Sequence, residues 1–131
     1  GQVITSSQYG DTLTGGAGDD TLNAGQGPDQ LTGAGGADRF VFANAPWNPG
    51  RITDFTPGTD VIDLRAIFDQ TAYAGTDPVG DRWVILEAVD GGTRVLVDLD
   101  GPNQNGDWPV TITTLNGVTP ASLGAGDWIV Q

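Results

Sequence analysis

The chain has no histidine and no cysteine in its 131 residues. That removes the imidazole and thiolate ligands on which zinc, copper, haem and iron–sulfur sites usually rest. It also excludes disulfides as a source of stability. Lysine is absent as well, and five arginines face sixteen aspartates and a single glutamate, Glu87, for a formal charge of −12. Nucleic acid and anionic membrane surfaces are poor partners for such a chain. No apolar run approaches the length needed to cross a bilayer, so the chain is read as not membrane-spanning. Serine occurs only at Ser6, Ser7 and Ser122, without a nucleophile motif around any of them. Without a histidine base or a cysteine nucleophile, and with one glutamate for carboxylate-pair chemistry, no catalytic set is expected. The length suits one domain with a modest core. The first residue is glycine, which suggests a piece of a longer chain, so the lack of a signal peptide here carries little weight.

What is present is a period. Asp11, Asp20, Asp29 and Asp38 fall at a strict nine-residue interval, each followed two residues later by a large apolar side chain: Leu13, Leu22, Leu31 and Phe40. The clearest unit, Gly15-Gly16-Ala17-Gly18-Asp19-Asp20-Thr21-Leu22-Asn23, fits the nonapeptide G-G-x-G-x-D-x-U-x at every defined position. Glycines at its first, second and fourth places let the backbone turn tightly and gather carbonyl oxygens around a small volume. Calcium is a hard cation that takes six to eight oxygen ligands, so one aspartate per loop plus converging carbonyls is suitable chemistry. Thr-Leu-Thr, Thr-Leu-Asn, Gln-Leu-Thr and Arg-Phe-Val after the four aspartates alternate as very short strands with the middle residue inward. A flexible Gly/Asp/Thr linker would have no reason to hold acids and apolar residues in one phase.

This stretch resembles the RTX (repeats-in-toxin) proteins exported by type I secretion. In that family two nonapeptides form one turn of a parallel β-roll, which implies that Leu13 stacks on Leu31 and Leu22 on Phe40. The resemblance implies one ion between Asp20 with the Gly15 and Ala17 carbonyls and Asp38 with those of Ala34 and Gly36. It implies a second, rougher site from Asp11, Asp29, Gly25 and Gly27. The first unit lacks the early glycines, the third carries Ala24 and Pro28, and the fourth carries Ala34 at its second place.

Beyond the roll, strands are expected at Arg39–Phe42, Arg51–Phe55, Val61–Leu64, Trp83–Ala88, Thr93–Asp98, Val110–Leu115 and Trp128–Val130. One short helix is expected near Asp63–Asp69, with Asp63 as its N-cap. The segment Ile52-Thr53-Asp54-Phe55-Thr56-Pro57-Gly58-Thr59-Asp60-Val61-Ile62-Asp63-Leu64 resembles the part that closes the roll in serralysin-type proteases, mannuronan epimerase modules and type I secretion target domains. The likeness implies Asp54 and Asp60 as further calcium ligands, with Gly33, Gly35 and Asp38 opposite. The terminal Asp127-Trp128-Ile129-Val130-Gln131 is similar to the end signal of type I substrates. Asp98–Asp107 fails the EF-hand spacing and reads as a solvated hairpin connection.

The fold expected is all-β: a lead-in segment (1–9), a short parallel β-roll of calcium-binding nonapeptides (10–42), and a β-sandwich-like capping region (43–131) that ends in a secretion signal. The function expected is calcium-dependent folding and type I secretion at the C-terminus of a larger exported, extracellular protein. Its partners would be Ca2+, the exporter and an upstream passenger domain. The alternative is a calcium-dependent carbohydrate-binding or surface-associated module, with polysaccharide stacking on Trp47, Trp83 or Trp108.

Overall fold

The computed structural model describes residues 3–5, 10–24, 29–42, 50–69, 75, 78–98 and 109–129. Its strands are short because each nonapeptide has room for only three or four extended residues before the next glycine turn. They are β1 (Val3–Thr5), β2 (Thr12–Thr14), β3 (Thr21–Ala24), β4 (Gln30–Thr32), β5 (Arg39–Phe42), β6 (Gly50–Ile52) and β7 (Val61–Asp63). A single helical turn, α1 (Arg65–Phe68), then leads to β8 (Val84–Val89), β9 (Gly92–Val97), β10 (Val110–Asn116) and β11 (Trp128–Ile129).

From β1 to β7 successive strands alternate between two sheets, as expected of a chain that turns back at short intervals. One sheet has the order β1-β3-β5-β7-β11 and the other β2-β4-β6-β10-β9-β8. In the first, all pairing is parallel, and Ile4, Leu22, Phe40, Ile62 and Trp128 lie in one column. In the second, Leu13, Leu31, Ile52 and Leu115 form the facing column. A one-residue slip would turn every inward side chain to solvent, so these two apolar columns fix the register. Leu22, Phe40, Ile52, Ile62 and Leu115 are completely buried between the sheets.

The fold is all-β and parallel where the repeats lie, as the sequence implies, and Leu13 pairs with Leu31 and Leu22 with Phe40. The parallel stack also runs past residues 10–42. It begins at β1, inside the lead-in segment, and continues through β6 and β7 to β11. The cap is an antiparallel meander, β8-β9-β10, that extends the second sheet, with β10 joined in parallel to β6.

Several boundaries move. The strand expected over Arg51–Phe55 ends at Ile52, and Phe55 turns inward so that its ring lies 6.1 Å from that of Phe40. The helix starts only at Arg65, and its N-cap position is Leu64, without a side-chain cap. Asp63 is still the last residue of β7, so it serves the helix from one residue earlier. Its Oδ1 accepts from the Arg65 amide at 3.1 Å, and its Oδ2 pairs with the Arg65 guanidinium at 2.6 Å. No helix among the described residues is long and apolar enough to cross a membrane.

Candidate metal centre

On one flank of the roll, the turns before β3, β5 and β7 each end in an aspartate, and parallel pairing stacks these turns. Asp20, Asp38 and Asp60 therefore stand above one another, each almost fully buried. They are stitched by a repeated contact. Asp38 Oδ1 accepts from the Asp20 amide at 2.9 Å, and Asp60 Oδ1 from the Asp38 amide at 2.9 Å. On the opposite flank Asp29 Oδ1 accepts from the Asp11 amide at 2.9 Å. That second column stops there, because the next coil brings Gly50 so close that a Cβ would overlap the Asp29 backbone.

The second carboxylate oxygen normally turns back into its own loop. Asp20 Oδ2 accepts from the Gly16 amide at 2.8 Å and Asp60 Oδ2 from the Thr56 amide at 2.8 Å, each four residues upstream. Asp38 breaks this rule. The amide four residues before it, that of Ala34, donates instead to Asp54 Oδ2 at 2.7 Å, and the Gly33 amide donates to Asp54 Oδ1 at 2.9 Å. Asp38 Oδ2 is left buried with no hydrogen-bond partner. A buried carboxylate oxygen without a donor is costly, and a cation is the natural complement. Gly33 must be glycine here, since a Cβ would overlap that same oxygen. Ala34, the departure from the glycine pattern, takes the left-handed conformation that glycine would take freely, with φ 68°.

The donors offered are all oxygen, which suits calcium and not a metal that prefers nitrogen or sulfur. No group of three or more carboxylates converges among the described residues. Coordination must therefore be completed by carbonyls, as a glycine-turn cage supplies.

Of the residues read as ligands from the sequence, the structure gathers Asp20, Asp38 and Asp60 in one column. Gly15 and Gly33 lie against it, and Asp54 sits on the amides of Gly33 and Ala34. Gly35 rests above Ala17 at an ordinary packing distance, and Gly36 lies so close to Gly18 that a Cβ there would overlap its carbonyl. Asp11 and Asp29 pair on the other flank, while Gly25 and Gly27 lie outside the described residues.

Two acids escaped the sequence reading of the site. Asp19 Oδ1 accepts from the Ala37 amide at 2.7 Å and so ties two coils together. Asp127 closes the stack, accepting from Gly58 N at 2.7 Å and from Gly124 N at 2.8 Å. The doubled Asp19-Asp20 was a signal for the first. The second is hidden because Trp128, which stands over Ile62, follows its acid by one residue and not by two.

Burial pushes the Asp38 carboxyl up to about 6, with Asp60, Asp20 and Asp54 adding to the effect and the Asp20 amide opposing it. Asp60 is also raised, chiefly by burial, against the amides of Asp38 and Thr56. For Asp63 burial pushes upward too, but the Arg65 hydrogen bonds and charge outweigh it and hold the group below its usual range.

Residues 5–40 match the RTX calcium-binding nonapeptide repeat in four copies. These are RTX repeats, and calcium is the cation they bind. No curated protein was similar enough to count as a relative. Among solved structures, the chain resembles the AlgE6R3 subunit of the mannuronan C5-epimerase from Azotobacter vinelandii. That match has 24% identity over 98% of this chain and 77% of the other, with a TM-score of 0.58. The AlgE6R2 subunit of the same enzyme aligns at 22% identity over 97% and 91%, with a TM-score of 0.45. The first likeness establishes the β-roll fold.

Proton and calcium compete for the RTX carboxylates, and the sign follows from the raised groups. Between the ordinary value of 3.8 and about 6, folded Asp38 holds more proton than the unfolded chain. Stability of the metal-free fold therefore falls as pH rises through that window. With calcium the order reverses, because the ion binds the ionised form. Calcium titrations followed by circular dichroism should show the midpoint concentration rising by about tenfold per pH unit below pH 6. A midpoint unchanged between pH 7.5 and 5 would remove Asp38 from the site.

Proposed function

We propose that this chain is a calcium-triggered folding module that serves type I secretion of a larger exported protein and carries no catalysis of its own. The observation that supports it most is Asp38 Oδ2, buried without a partner beside Asp20, Asp54 and Asp60. A fold that concentrates carboxylates in this way is penalised until a cation arrives. If a site has a Kd of about 10⁻⁴ M and external calcium is about 10⁻³ M, each ion stabilises the fold by roughly RT ln 11, about 1.4 kcal/mol. Several such contributions are large against the marginal stability of a small domain. In a cytosol with far less free calcium they vanish, which leaves a chain that an exporter can thread.

The C-terminal segment fits the same sequence of events. Trp128 and Asp127 are buried, and β11 is paired with β7. The exporter would read this segment from the unfolded chain, before calcium outside the cell folds it away. Deleting residues 126–131 should reduce export of a fused passenger by about tenfold while leaving its synthesis intact. Undiminished secretion would defeat the signal reading.

Polysaccharide binding is the second reading. Trp83, one of the three indoles it would use, packs against Phe68 with ring centroids 6.2 Å apart, and Trp47 and Trp108 lie outside the described residues. The folding module is therefore preferred.

A further inference from the structure

A carboxylate that takes a loop amide also aims a carbonyl, because the N–H and C=O of one trans peptide unit point in opposite directions. No cis peptide occurs among the described residues. Asp20 Oδ2 on the Gly16 amide thus sets the direction of the Gly15 carbonyl, and Asp54 Oδ2 on the Ala34 amide sets that of Gly33. Asp19 does the same from one coil to the next. Its Oδ1 takes the Ala37 amide at 2.7 Å and so turns the Gly36 carbonyl away from itself.

Asp19 is exposed, outside the buried column, and its place in the nonapeptide is one that the G-G-x-G-x-D-x-U-x pattern leaves undefined. Its target is not a neutral one. The repeat pattern implies the Gly36 carbonyl as a calcium ligand, and Gly36 stands in the left-handed region with φ 89°, where a Cβ would overlap the Gly18 carbonyl. Glycine is required there, and glycine alone holds a peptide plane loosely. The Asp19 carboxylate supplies the missing restraint.

The opposite flank cannot make this tie. Asp19 and Ala37 are eighteen residues apart, and the same step on the other flank joins Gly10, which has no side-chain acceptor, to Pro28, which has no N–H. The fifth places of the four units are Gly10, Asp19, Pro28 and Ala37, so one unit alone carries an acid there.

We infer that Asp19 is a positioning residue for calcium: by fixing the Gly36 carbonyl it strengthens the Asp20–Asp38 flank over the Asp11–Asp29 flank. Groups that orient a metal's ligands typically change affinity by about tenfold or more when removed. This role depends on calcium binding by the repeats and not on the secretion reading.

The test uses the full chain saturated with calcium, followed by NMR and by the rate of calcium release to a chelator. In Asp19→Ala the Ala37 amide exchanges at least about tenfold faster, the Gly36 carbonyl carbon resonance moves, and one class of ions leaves about tenfold faster, while the Asp11 amide keeps its protection. Asp19→Asn loses the charge but keeps an oxygen for the Ala37 amide. It returns exchange and release to within about threefold of the parent and restores the Gly36 resonance. Four results overturn the inference. Asp19→Asn as impaired as Asp19→Ala would make the charge the active feature, and an unmoved Gly36 resonance in Asp19→Ala would leave only a tie between coils. Equal loosening of the Asp11 and Asp20 amides would show that the effect is not confined to one flank. A variant that never reaches the parent's circular dichroism at any calcium concentration would also defeat it, since a positioning residue changes affinity and not the saturated fold.

Discussion

Removing calcium with EGTA should abolish the cooperative thermal transition of this protein and most of its β-sheet circular dichroism, and calcium should restore both where magnesium does not. The reason is electrostatic. Asp20, Asp38 and Asp60 are buried one above another, with Asp54 nearby, and backbone amides donate to their carboxylates. Losing about three ions would cost about 4 kcal/mol at the affinities used above, a large share of a small domain's stability of about 5–15 kcal/mol. Magnesium is a poor substitute because it insists on a small octahedron and keeps its water. Unchanged melting in EGTA would mean that the apolar columns and the β8–β10 meander hold the fold unaided.

Asp38→Asn should give the largest loss of any single carboxylate substitution in the roll, and its sign should depend on calcium. The amide keeps an oxygen for the Asp20 amide but surrenders the charge that the ion needs. With calcium present the expected loss is on the order of 3 kcal/mol, that of breaking a buried charge pair. In EGTA the same change removes a buried, unpaired charge and should leave the protein as stable as the parent or more so. Asp54→Ala should behave differently: it frees the Gly33 and Ala34 amides and lets the loop relax onto Asp38, so its loss with calcium should be smaller. Asp90→Ala, in the β8–β9 turn, serves as the control. Melting temperatures of these proteins, each measured in calcium and in EGTA, decide the matter; equal losses for Asp38→Asn under both conditions would show that Asp38 acts only through its hydrogen bond.

What the sequence determined is the part written in a nine-residue phase. Period alone set Leu13, Leu22, Leu31 and Phe40 inward, stacked them two units apart, and put an aspartate at the end of each turn. Those features depend on neighbours within one coil and the next, and glycine turns leave the chain no other way to bury a leucine every ninth residue. The all-oxygen character of the site was equally legible, since histidine and cysteine are absent.

Tertiary structure decided the rest. That Asp54 takes the Gly33 and Ala34 amides, and so strips Asp38 of its local donor, requires the third coil to settle on the second. The Asp38-to-Asp60 step is 22 residues where the repeat has 18, and no period predicts where the longer loop directs its first acid. The parallel union of β10 with β6, and the closure of the stack by Asp127, join segments more than 60 residues apart. Contacts at that range are selected by which apolar face remains uncovered when the roll ends. That surface exists only after the coils have stacked.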